Sequence, residues 1–220
     1  GEYVHLLVEA MKLALADRDT YYADPLFVEV PLEQLLSPQY ADLRWPLIDL
    51  KRASLELRPG DPRGGRARLG VQPAEYRLPA AGGQDMMSRR VAKSGPPPGG
   101  RGPLWDTTTC LVADRWGNVV AATPSGWGGV LAGETGIILN SRLRSLNTWP
   151  GHPNCIEPGK RPRITLTPTL VFRDGRPVAA ISVAGGDQQD QVTLQLLLSY
   201  LEFGLDPARA VTVPRFVTDH

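Results

Sequence analysis

Residues 58–103 contain P-G-D-P-R-G-G-R, A-A-G-G and G-P-P-P-G-G-R-G-P. Such a composition cannot bury enough apolar surface to offset the entropy lost on ordering it. The chain must therefore fold from the stretches on either side, and these carry different hydrophobic periods. Before the tract, Val4, Leu7, Val8, Met11 and Leu15 recur at helical spacing and predict a helix over 2–22. Residues 31–57 read as short helices broken at Pro31, Pro38 and Pro46, because proline has no amide proton to give a helix interior. After the tract the period becomes two. Strands are expected over 107–113 and 118–123, joined by a Gly117-Asn118 turn, and a third over 136–140. Residues 165–172 and 177–183 predict a hairpin around Asp174-Gly175. Leu194, Leu197, Leu198, Leu201 and Leu205 mark a helix over 188–203 capped by Gly204, and 206–211 is expected to form one more short helix. This order predicts an α+β chain of antiparallel sheets flanked by helices. Its parts would be a helical stretch over 1–57, a mobile Pro/Gly-rich linker over 58–106 and a strand-rich stretch over 107–220.

A chain of 220 residues can bury a sizeable core. Its 24 basic and 23 acidic residues nearly cancel, so no net field favours nucleic acid or an acidic membrane as a partner. No apolar run approaches the length of a membrane span, and G-E-Y-V-H at the start is not a signal peptide. Two cysteines, Cys110 and Cys155, define neither a disulfide framework nor a metal site. Cys110 is expected to pack as a small apolar residue in its strand, and cysteine usage leaves the compartment open. No metal or cofactor is expected. Gly1 enters its helix without a preceding cap and His220 follows V-P-R-F-V-T-D without a stop signal, so both ends are expected to lie inside a longer sequence.

Residues 105–112 read W-D-T-T-T-C-L-V. Taken alone, three threonines in a row are simply strand formers. Later come A-G-E-T-G-I-I-L-N at 132–140, P-G-K-R-P at 158–162, a strand ending in Gly185-Gly186, and V-P-R-F at 213–216. In that order and spacing these segments resemble the γ-glutamyltranspeptidase family of N-terminal-nucleophile hydrolases. The resemblance is strong over 104–216 and weaker over 1–60. There, A-D-R-D-T-Y-Y-A-D-P at 16–25 resembles a segment late in the family's large subunit. By itself that segment reads as a polar helix end stopped by Pro25. The resemblance implies part of an α/β/β/α sandwich, made of the end of the large subunit and most of the small one. It also implies self-cleavage between Asp106 and Thr107, after which the two pieces of one precursor stay paired.

A threonine hydroxyl is a poor nucleophile until a base removes its proton. Cleavage before Thr107 would free an α-amine on the same residue, and an unperturbed α-amine titrates at about 7.7–8.0. One residue would then supply both nucleophile and base, without the histidine of a triad. His5, His152 and His220 have no triad-like context. The family's T-T-H-Y-x-V-x-D pattern, counted back from Gly117-Asn118, falls on 107–114, with Thr107 as nucleophile, Thr108 as the second threonine and Thr109 where histidine is common. Ser125 falls where the family has a threonine that supports the nucleophile. Gly185-Gly186 matches the pair whose amides hold the oxyanion. Glycines ahead of a helix suit that task, because the backbone can approach a substrate and the helix start favours negative charge.

The implied substrate-binding positions depart from the family. Trp127 replaces an asparagine that binds the substrate's α-amino group, and Arg142 and Ser145 replace a Gln or Glu and an Asp that hold the same ammonium. Arginine has donors only and repels an ammonium. Ile164 and Thr165 stand at a serine pair that grips the α-carboxylate, so one hydroxyl remains. Arg142 and Arg144 could instead face a carboxylate or carbonyl on the acyl group. The expectation is an acyltransferase or amidohydrolase acting on a γ-glutamyl-type amide, with water, an amino acid or an amine as acceptor. The alternatives are an acylase of the same family for a glutaryl-like acyl group, and an inactive fragment.

Overall fold

The computed structural model describes residues 1–64, 107–125, 127–140 and 142–218, and only the backbone of Trp127, Gly128, Gly129, Ile138 and Arg144. The segment 65–106, with Asp106, and the terminal His220 lie outside the described residues. The chain divides into two compact units. Among described residues the first holds 1–64, 143–163 and Thr218, and the second holds 107–125, 127–140, 142 and 164–217.

The first unit is organised by α1 (Glu2–Tyr21). Leu7, Met11 and Leu15 are buried along one stripe, as the helical period requires, while Val4 at its end is 43% exposed. A second buried face is charged. Glu9 pairs with Arg58 at 2.9 Å and with Lys12, and its Oε1 accepts the Ser54 amide at 3.2 Å. Asp17 accepts the Gly60 amide at 2.7 Å and the Tyr40 hydroxyl at 3.0 Å, and pairs with Arg44 at 3.3 Å. Burial pushes the Asp17 carboxyl up, against the Gly60 amide and Arg44, which favour its charged form. Residues 54–60 thus run along the polar face of α1. At Gly60 a Cβ would overlap the Tyr40 hydroxyl and lie 2.9 Å from Tyr40 Cζ. Arg58 and Gly60, at the start of the Pro/Gly-rich tract, are therefore held against α1.

The prolines break the next stretch as expected into α2 (Leu32–Leu35), α3 (Pro38–Arg44) and a 3-10 turn (Trp45–Leu47). Ser37 caps α3 by accepting the Tyr40 amide at 3.2 Å, with Pro38 in the first turn. Between α1 and α2, Asp24 meets residue Arg161 of P-G-K-R-P. Its Oδ2 accepts the Arg161 amide at 2.9 Å and Nε at 3.1 Å, and its Oδ1 accepts Nη2 at 3.0 Å. Asp24 is 3% exposed. The Arg161 side-chain and backbone donors hold its carboxyl far below the ordinary carboxylate range. A depressed folded-state pKa stabilises the fold above the unfolded value of about 3.9 and loses that contribution as pH falls through the folded value. Asp24→Asn should therefore lower the melting temperature at pH 7, and the gap to wild type should narrow below about pH 4. A gap independent of pH would assign the loss to packing rather than charge.

The second unit contains three antiparallel hairpins among the described residues. They are β1 (Cys110–Ala113) with β2 (Val119–Ala122), β3 (Trp127–Leu131) with β4 (Ile138–Asn140), and β5 (Thr169–Arg173) with β6 (Arg176–Ile181). Each of the five expected strands is shorter than its sequence pattern. The β5–β6 turn places Asp174 at φ 51° and Gly175 at φ 74°, the positive pair that a two-residue hairpin turn needs. β3 was not expected, since the glycines of W-G-G-V-L hide its alternation, and a register shift follows Trp127. Cys110 is exposed rather than packed, because all four residues of β1 face solvent.

Helix α4 (Gln188–Leu201) and the short α5 (Pro207–Ala210) complete the unit. Gly204 at φ 63° lets the chain turn back, so the Leu205 amide donates to the Ser199 carbonyl at 3.0 Å. The leucine face is not the most buried one. Gln189, Gln191, Thr193, Gln195 and Ser199 are each buried, whereas Leu201 is 44% exposed. The amides are satisfied in place. Gln195 donates to the Phe216 carbonyl at 2.7 Å and accepts the Phe216 amide at 3.2 Å. A buried amide with its hydrogen bonds made avoids the desolvation cost that would otherwise expel it. The described architecture is α+β, with helices and small antiparallel sheets.

Candidate active site

The β1–β2 turn sets the register on which Thr107 depends. Asp114 Oδ1 accepts the amides of Trp116 at 2.8 Å and Asn118 at 2.9 Å, while Oδ2 accepts Asn118 Nδ2 at 2.7 Å. The Asn118 side-chain hydrogen bond is the largest influence holding the Asp114 carboxyl below its ordinary range. Gly117 takes φ 87° to close the turn. Cys110 then lies opposite Ala122, and the pairing continues past the strands where the Thr108 amide donates to the Pro124 carbonyl at 3.0 Å. One step further, Thr107 faces Ser125. Their hydroxyls are 2.6 Å apart, and both residues are half-buried.

Gly185 and Gly186 lie between β6 and α4, with φ values of 136° and 60°. Their carbonyls accept the amides of Gln188 and Gln189, each at 3.2 Å, starting the helix. Among the described residues neither glycine N–H is used as a donor. With its amide nitrogen turned toward the two carbonyls, Gln189 donates to Val183 at 2.8 Å and to Thr165 at 3.3 Å. This fully buried glutamine ties the approach to the glycine pair to the segment that carries Thr165. It was not foreseen, since D-Q-Q-D reads as a polar helix start.

Arg142 and Thr165 come together within the second unit. Arg142 Nη1 donates to Thr165 Oγ1 at 3.3 Å, and both are half-buried. Among the described residues no carboxylate pairs with Arg142. The arrangement is rich in donors and suits an anion or a carbonyl oxygen. Ile164 beside it is 58% exposed. Ser145 ends the 3-10 turn Arg142–Ser145 but belongs to the first unit, where its carbonyl accepts Asn154 Nδ2 at 2.7 Å. Trp127 starts β3, opposite Asn140, and its side chain lies outside the description, as does that of Arg144. Asp106 lies outside the described residues. No hydrogen bond among them joins Thr107 to either glycine.

Among the described residues, His5 and His152 form no triad. His5 Nε2 lies 2.7 Å from the Asp49 carbonyl. His152, whose imidazole burial pushes toward the neutral form, accepts the Asn154 amide at 2.9 Å and packs on Trp149. No group of three or more His, Cys, Asp or Glu side chains suited to a metal ion occurs among the described residues.

Comparison with known proteins bears on the chain as a whole. The family model described as Gamma-glutamyltranspeptidase matches residues 1–220. A glutathione hydrolase proenzyme of Bacillus subtilis (strain 168) is 34% identical over 99% of this chain and 34% of its own length. An Acylase ACY 1 proenzyme of Pseudomonas sp. (strain SE83) is 30% identical over 98% of this chain and 32% of its own. Among solved structures, that of LmbA2991HD is 42% identical, with a TM-score of 0.71 over 97% of this chain and 34% of that one. The chain thus spans about a third of the length of the curated relatives it matches. With a match that runs over its whole length, the chain belongs to the gamma-glutamyltranspeptidase family.

Proposed function

We propose that the full-length protein is a self-cleaving threonine amidohydrolase or acyltransferase, built on the α/β/β/α sandwich of N-terminal-nucleophile hydrolases. The observation that carries the reading is the 2.6 Å contact between Thr107 and Ser125 at the head of the β1–β2 hairpin, in a chain of this family. Residues 107–220 belong to the catalytic part, 1–57 to the helical end of the partner piece, and 58–106 lead from it to the cut. In self-cleavage, Thr107 Oγ adds to the Asp106 carbonyl carbon and the C–N bond breaks, leaving an ester and a free α-amine on Thr107. Water then hydrolyses the ester to the Asp106 carboxylate and the Thr107 hydroxyl. In turnover the α-amine takes the hydroxyl proton as Oγ attacks a substrate amide, with Ser125 orienting that oxygen. The Gly185 and Gly186 amides hold the oxyanion. The leaving amine departs with the proton, and water or an acceptor amine resolves the acyl-enzyme. Two names among its relatives, glutathione hydrolase and acylase, both fit this chemistry.

The acyl group is where the readings part. Arg142 against Thr165 offers donors where an α-ammonium needs acceptors, and like charges brought together without water cost several kcal/mol. The protein is therefore expected to turn over glutathione-like donors poorly and to prefer an acyl group without the amine, such as glutaryl. Steady-state rates of the self-cleaved enzyme on a γ-glutamyl anilide and a glutaryl anilide test this. Wild type should favour glutaryl. Arg142→Gln should shift the kcat/KM ratio toward γ-glutamyl by about tenfold or more. Ordinary γ-glutamyl turnover by the wild type would remove Arg142 from the pocket.

A further inference from the structure

Two hairpins end near the reactive residues, and one pair of hydroxyls ties those ends together. Thr123 directly follows β2 and Ser182 directly follows β6. Their oxygens are 2.6 Å apart, and Ser182 Oγ donates to the Ala122 carbonyl at 3.2 Å. With the Ser182 proton committed to that carbonyl, Thr123 is the donor to Ser182. Thr123 is 5% exposed, so water competes little for the bond. Ser125, the partner of Thr107, lies two residues past Thr123, and Gly185 lies three residues past Ser182.

The hairpins β1–β2 and β5–β6 are separate two-stranded sheets, with no backbone ladder between them among the described residues. A side-chain bond at their ends therefore fixes what a ladder would otherwise fix. We propose that Thr123 and Ser182 are positioning residues that set the Thr107 hydroxyl against the Gly185-Gly186 amides. This rests on the reading of Thr107 as nucleophile. The pair touches no reacting atom in that reading; it acts through Ser125 on one side and the glycine backbone on the other. Misplacing reacting groups by about 1 Å is enough to cost roughly a hundredfold in rate.

The test uses the full-length, self-cleaved enzyme with Thr123→Val, Ser182→Ala, the double variant and Thr123→Ser. Valine replaces the hydroxyl at nearly constant volume. Turnover is measured on the cleaved fraction, beside affinity for an alkyl boronic acid. That probe takes Thr107 Oγ onto trigonal boron, the hydroxyl proton passing to the α-amine, and so needs the same placement as the tetrahedral intermediate. In the first three variants kcat and boronate affinity should fall together, by about a hundredfold, with KM and melting temperature near wild type. The double variant should be no worse than Ser182→Ala, which already loses both the bond from Thr123 and the bond to the Ala122 carbonyl. Thr123→Ser should restore both readouts. Unchanged kcat in Thr123→Val overturns the proposal, as does a parallel fall in kcat and melting temperature that Thr123→Ser does not rescue. A wild type that stays uncut and inactive overturns the reading of Thr107 and this pair with it. A cut, active wild type with indifferent variants overturns the pair alone.

Discussion

Thr107→Ala is expected to leave the full-length protein uncut and without measurable turnover. The hydroxyl that faces Ser125 at 2.6 Å is, in the proposed reaction, the only atom that attacks, first the Asp106 carbonyl and then the substrate. Its loss removes both steps at once, rather than slowing one. Thr107→Ser keeps the hydroxyl and should keep part of each activity, reduced because serine lacks the methyl group that restricts the threonine rotamer. The pH profile carries a second signature. With an α-amine as base, turnover by the cleaved enzyme should rise with pH through the amine's titration, at about 7.7–8.0 if unperturbed. Cutting of Thr107→Ala at the same bond, measured on denaturing gels and by N-terminal sequencing, would take Thr107 out of its role.

The second large effect is expected at Gly186. Its φ of 60° lies where side chains are rarely tolerated, and alanine there costs on the order of 1–2 kcal/mol in backbone strain. The strain can relax only by turning the peptide, which re-aims the N–H groups proposed to hold the oxyanion. Loss of one such donor costs roughly 2.7–4 kcal/mol in the barrier, or about a hundred- to a thousandfold in kcat. Gly186→Ala should therefore lower kcat by that order with a modest loss of melting temperature. Turnover equal to wild type would place the oxyanion site elsewhere.

The elements were legible where local chemistry decides them. Leu7, Met11 and Leu15 gave α1 its buried stripe, the prolines divided 31–47, and Asp174-Gly175 and Gly204 stand at the turns their conformations suit. A count from Gly117-Asn118 fixes which residue lies across the hairpin from Thr107, and Ser125 is that residue. What the pattern missed depends on partners distant in sequence. Asp24 looked like part of a polar helix end, but it is the buried anchor for Arg161, 137 residues away. Gln189 and Gln195 are buried because their amides meet carbonyls of other segments, which the leucine spacing that marks α4 does not register. W-G-G-V-L hid β3 because glycine has no side chain to alternate. The bond between Thr123 and Ser182 spans 59 residues and has no local signal at all.

The claim that Thr107 is both the site of self-cleavage and the nucleophile is met most directly by the intact mass of the purified full-length protein. The account predicts two pieces whose masses sum to the precursor plus one water, the smaller beginning at Thr107 and the larger ending at Asp106. A single uncut chain, or a junction at any other bond, would contradict it.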